Sequence, residues 1–182
     1  MRFDSGAYGP DVTAILALHC NGERLMPLVQ GVCSSAQARG MLQSTSAARL
    51  FPRSRAASAA FAGLWLYFSC WEEAHQVAQD LDTREGRYWH AIVHRQEPDA
   101  WNSGYWFRQV GPHPIFPELH RYAQEIGIKL GPRWDPVAFI EQCERARGEP
   151  GSELERQAME VQRVEWQLLF DFCAAAPEPR LR

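Results

Sequence analysis

The residues best suited to chemistry lie between Gly86 and Phe116, in GRYWHAIVHRQEPDAWNSGYWFRQVGPHPIF. This stretch gathers three histidines, a group of aromatics and a run of Arg, Glu, Asp and Asn. His90 and His94 are four residues apart and Glu97 follows three later, so a helix that continues to Glu97 turns two imidazoles and a carboxylate to one side. Upstream, Glu72 and His75 repeat the three-residue interval. Two histidines and a carboxylate with open positions suit mononuclear iron or catalytic zinc. The metal-ligand candidates are therefore Glu72, His75, His90, His94 and Glu97, for one divalent ion, zinc or iron.

The same groups allow metal-free chemistry. Glu72 or Asp99 orients a histidine that acts as acid or base, and Arg95 or Arg108 holds an anionic substrate group. On this reading His94, Glu97, Asp99 and Arg95 are the catalytic candidates, and Asn102, Tyr105, Trp106, Arg108 and His113 line a small-molecule site. A structural alternative explains each residue without a ligand: His90 and His94 bond Glu72, Glu97 or backbone, the arginines sit in helix-surface ion pairs, Asp99 is a cap, and the aromatics are core. Several named motifs are absent. Ala91 follows His90, so there is no HExxH, and only Glu72–His75 supplies the Glu-x-x-His that a di-iron bundle needs twice. The glycines are isolated, with no phosphate-binding loop, dinucleotide fingerprint or serine elbow.

The elements that must position these residues read as helices. From Arg55 to Leu81, Phe61, Leu64, Trp65 and Phe68 form one apolar stripe, predicting a central core helix. Extending that stripe puts Glu72 and His75 inward and Glu73 outward, and buried polar groups of this kind require partners. Asp82 to Gly86 predicts a turn, and Arg87 to Glu97 a second helix stopped by Pro98. Asp99 caps a third helix to Val110, whose Trp101, Tyr105, Trp106, Phe107 and Val110 surround the axis and predict a largely buried element. Pro112 and Pro114 bracket His113 and fix its direction. Further helices are expected over Asp11–Cys20, 116–126, 135–147 and from Ser152, where Ser152 and Glu155 suggest a capping box. The segment 23–55 holds one or two short helices between Pro27, Gly31, Gly40 and Pro52. No alternating strand pattern and no repeat occurs. The expectation is one all-α domain of six to eight helices over 1–182, with 71–116 as its signature region and 177–182 as a short tail.

Whole-chain properties narrow the class further. A chain of 182 residues, 46% hydrophobic and 23% charged, matches a single globular domain, and its net charge of −3 argues against a nucleic-acid surface. The five cysteines are widely spaced without a CxxC pair, which predicts neither a disulfide framework nor a thiolate zinc site and fits a reducing cytoplasm. No signal-peptide pattern is visible. The charge-free run Ala56–Trp71 is shorter than a membrane span and reads as a buried helix.

The run YWHAIVHRQEPDAWNSGYWFRQVGPHPIF, with WEEAH upstream, resembles the signature YWHAixHRrEpDxxNaxYWfRrvGxHPvF of a family of bacterial and fungal proteins without an assigned activity. The resemblance spans Trp71 to Phe116, about a quarter of the chain. It implies a shared site carried by His90, His94, Arg95, Glu97, Asp99, Asn102, Tyr105, Trp106, Arg108, Gly111 and His113, and it implies no reaction. Gln96 and Gly104 are slight departures. The sequence thus points to an interhelical His/Glu-lined small-molecule site, read first as a mononuclear metal-dependent enzyme and second as a helical ligand-binding or interaction domain with a structural polar network.

Overall fold

Local signals set most of the helix ends. In a computed structural model that describes residues 3–176, Thr83, Asp99, Asp135 and Ser152 accept backbone N–H bonds at helix starts, and Gly111 and Gly127 stop helices at positive φ. The helices are α1 (Pro10–Ala17), α2 (Ala36–Gln43), α3 (Ala47–Leu50), α4 (Ala57–Tyr67), α5 (Trp71–Gln79), α6 (Arg84–Gln96), α7 (Ala100–Val110), α8 (Phe116–Ile126), α9 (Pro136–Arg147) and α10 (Glu153–Ala174). Among the described residues these ten helices and two 3-10 turns are the regular structure, with no strand. The class is all-α as expected, while the count exceeds six to eight. The expected tail 177–182 lies outside the described residues.

The extra helices have identifiable causes. The apolar run after Arg55 does not continue as one helix, because Ser69 adopts a left-handed conformation and Cys70 N–H bonds back to Trp65 O, so α5 leaves on a new axis. The stripe therefore does not carry across the break: Glu72 is exposed rather than inward, and Glu73 ion-pairs with Arg39 at 2.6 Å. α2 and α3 fill the segment left irregular in the sequence, each with a serine cap. At α10, Glu155 Oε2 takes the N–H of Gly151 rather than that of the cap residue, so the expected box closes one residue early.

Three helices form the centre. α4 is buried nearly all round, and Gly63 lets it approach two tryptophans: Trp166 of α10 donates its indole N–H to Gly63 O at 2.8 Å, and the Trp89 ring of α6 lies against the Gly63 Cα. α6 is held by α5 and α7 through single buried bonds to its backbone, from Trp71 Nε1 to Val93 O at 3.2 Å and from Ser103 Oγ to Ala91 O at 2.8 Å. α7 departs from expectation. Its buried face is Ser103, Gly104, Phe107 and Val110, while Trp101 is 76% and Tyr105 40% exposed, because the α6 contact uses the small residues of α7 and leaves the large rings at the edge.

The segment before α2 carries a second correction. Cys33 and Cys70 form a disulfide, 37 residues apart in sequence, that fastens this loop to the α4–α5 corner. Ser34 N–H to Phe68 O and the Arg24 guanidinium on Tyr67 O and Ser69 Oγ close the same junction. Spacing between two isolated cysteines does not encode a loop that folds back over a corner. Bonds of this kind persist in oxidising compartments, so the cysteine pattern no longer supports a reducing one. No helix among the described residues is long and apolar enough to cross a membrane.

Candidate metal centre

Helical geometry divides α6 into two faces. At about 100° per residue, His94 lies roughly 40° and Glu97 roughly 20° from His90, whereas Tyr88 and Arg95 lie roughly 160° and 140° away. The first group faces α5 and α7 and the second faces α10.

On the first face three imidazoles converge. His90 Nε2 is 3.0 Å from His75 Nε2 and 3.0 Å from His94 Nε2. His90 and His94 are buried and His75 is half-buried. The other edge of His94 meets a carboxylate, with Nδ1 at 2.9 Å from Glu97 Oε2. Asp99 also places a carboxylate oxygen within 4.8 Å of a His94 ring nitrogen and of the Glu97 carboxylate. Its Oδ1 accepts the Asn102 N–H at 3.0 Å as the α7 cap. The Asn102 amide nitrogen stands 3.3 and 3.2 Å from the two ring nitrogens of His94. Trp106 packs on His90 with ring centres 4.4 Å apart, and Trp71 on His75 at 4.9 Å.

Proton accounting shows what the cluster lacks. A carboxylate only accepts, so Glu97 fixes the His94 proton on Nδ1 and leaves Nε2 as a lone pair. If His90 donates to that lone pair, His75 meets an N–H already engaged. If His75 donates to His90 instead, two lone pairs face each other between His90 and His94. With neutral rings one 3.0 Å contact has no proton of its own; the Asn102 amide, 3.2 Å from His94 Nε2, can donate to the lone pair left there, and a cation between the nitrogens would satisfy that contact as well. Protonation of His90 and His75 is resisted: burial, then the neighbouring His94 and His75, lowers His90 to about 4, and burial followed by His94 lowers His75. Neutral imidazoles are the form that binds metals.

Other predicted site residues lie elsewhere. Glu72 is exposed and outside the converging nitrogens, and Glu97 supports His94 rather than joining the Nε2 cluster. Arg95 cannot hold a substrate anion, since its guanidinium is 1% exposed on the opposite face and pairs with Glu165 of α10 at 2.5 Å. His113 is buried among Tyr88, Phe116 and Phe172, with its Nε2 3.9 Å from Glu85 Oε1, on the Tyr88 side of α6. Burial, then Arg84 and Arg55, lowers it to about 4. Tyr105 reaches the cluster only through an edge contact with Trp106, and Arg108 lines a pocket at the far end of α7.

Sequence reading did not find Glu165, which is fully buried and also accepts from Tyr88 Oη at 3.0 Å. A lone acid within the run Val164–Phe170, otherwise apolar apart from Gln167, is the signal that marks it. The search for similar proteins adds no family: no family model, no curated protein and no solved structure matches the chain.

Proposed function

We propose that this chain binds one divalent transition metal through Nε2 of His75, His90 and His94, and that it is a mononuclear metal-dependent enzyme. The observation that carries the reading is the convergence of three imidazoles, with His90 Nε2 3.0 Å from both His75 Nε2 and His94 Nε2. The two pairs that share His90 Nε2, each 3.0 Å apart, would subtend about 94° at a metal about 2.0–2.1 Å away, and all three rings offer ligand atoms within 4.8 Å of one another. Zinc and ferrous iron both accept three imidazoles, and three protein ligands would leave open positions for water and a small-molecule substrate. Glu97 holds His94 in the tautomer that presents Nε2, and a metal held there would lower the pKa of a coordinated water. Membership of the signature family of bacterial and fungal proteins is part of the same proposal, since its shared motif carries His90, His94 and Glu97.

Metal analysis tests it, on protein purified without chelator or affinity-tag metal. About one zinc or iron per chain is expected, falling to background in His90→Ala. Substoichiometric metal that added Zn, Fe or Mn does not restore would overturn the reading. A structural network is the second reading, favoured by the tryptophans that cover His75 and His90. His94→Ala separates the two in metal-free protein. A large drop in melting temperature supports a structural network, and an unchanged or raised value supports a ligand site.

A further inference from the structure

The far end of α7 carries part of the signature stretch that the imidazole cluster does not use. Phe107, Arg108, Gly111, Pro112 and Phe116 open there onto a pocket of about 430 Å³, closed on its other side by Arg133, Trp134 and the start of α9. The volume falls in the range of small-molecule sites. Gly111 is needed at this corner because its φ is +63°, and a Cβ there would meet no neighbour within 4 Å, so the glycine serves the turn rather than close packing.

Two arginines and one acid line the pocket. Arg108 and Arg133 make no ion pair with a carboxylate among the described residues. The one acid in the lining, Asp135, is occupied as the α9 cap, with Oδ1 accepting from Val137 N at 2.9 Å and Ala138 N at 3.4 Å. Phe116, Trp134, Pro112 and Val137 make the rest of the lining aromatic and apolar. In a chain of net charge −3, two unpaired cations beside an aromatic pocket are matched by a ligand with an apolar body and an anionic head. A guanidinium takes a carboxylate, sulfonate or phosphate through paired N–H donors, and the rings take a flat hydrocarbon face.

We infer that the pocket between α7 and the start of α9 is a second binding site, for a small aryl anion, with Arg108 and Arg133 holding the acidic group and Phe116 and Trp134 the ring. It shares no lining residue with the imidazole cluster and does not depend on a metal there.

Titration of metal-stripped protein with anilinonaphthalene sulfonate, followed by fluorescence, tests the site. One saturable site per chain is expected, and the uncharged phenylnaphthylamine should bind the wild-type chain about tenfold or more weakly. Arg108→Ala combined with Arg133→Ala should weaken the sulfonate to a similar extent and leave the neutral probe unchanged. Val137→Trp, which fills the pocket from a partly exposed position, should remove both. Absence of a saturable site, equal affinity for the two probes on the wild-type chain, or unchanged sulfonate binding in the arginine variant with helicity intact would each overturn the inference. The wild-type comparison needs no variant, so a folding defect cannot mask the result.

Discussion

Glu97 acts through another residue, and its value depends on which edge of His94 it touches. Bonding Nδ1 at 2.9 Å makes the carboxylate an orienting partner, of the kind whose loss costs metal sites about ten- to a hundredfold in affinity. Glu97→Ala is therefore expected to weaken zinc binding by about that factor, measured by competition with a chromophoric chelator. The metal-free chain should keep its melting temperature, since the Glu97 side chain is 40% exposed. An affinity equal to wild type would remove Glu97 from the site. At this scale the sequence was partly readable. The four-residue interval placed His90 and His94 together because helical period alone decides it, and the same period, applied one residue further, sends Arg95 to the opposite face. Arg95 adjoins His94 in sequence yet stands roughly 140° from His90 around the helix, and so belongs to the α10 face.

Elements were legible where local chemistry ends them and illegible where tertiary contact does. Asp99, Asp135, Ser152 and Gly127 mark boundaries that the structure keeps. The break at Ser69 has no glycine or proline to announce it, and it depends on the backbone bond from Cys70 to Trp65 and on the loop fastened there by Cys33. It also decides that His75 reaches α6 while Glu72 does not. Gly63 shows the converse case, a glycine inside a helix whose reason lies in two other helices. An added Cβ would come within 2.8 Å of Trp89 Cζ2, on a ring that is fully buried. Ala normally gains about 1 kcal/mol over Gly within a helix, while overpacking a filled core costs about 1–3 kcal/mol. With two tryptophans at one spot the steric cost should prevail, so Gly63→Ala is expected to lower stability by about 1 kcal/mol or more in urea unfolding. A stabilised variant would mean that α4 and α6 separate easily.

Across the molecule, the face of α6 opposite the imidazoles joins it to distant chain. Arg95 pairs with Glu165 of α10, which also accepts from Tyr88, and the guanidinium lies over the Phe139 ring of α9. Gln162 of α10 donates to Met26 O and Pro27 O, Arg147 of α9 to Leu28 O and Arg95 O, and Gln30 N–H to Gln96 O. Through these bonds the loop that ends at the Cys33–Cys70 disulfide is tied to Arg95 and Gln96 at the C-terminal end of α6, one and two residues from His94. Both partners of the central pair are essentially without solvent exposure, at 1% and 0%. Removing one leaves a buried unpaired charge, which costs about 3–5 kcal/mol, while replacing both by apolar residues of similar size is often neutral. Glu165→Leu is thus expected to lose about 3–5 kcal/mol in urea unfolding, a large share of the stability of a single domain. Adding Arg95→Met to Glu165→Leu should recover most of the loss, less what Tyr88 forfeits without its acceptor. If the double variant instead loses the sum of the two single changes, the pair is not coupled, and the imidazole face of α6 must be held in place from α5 and α7 alone.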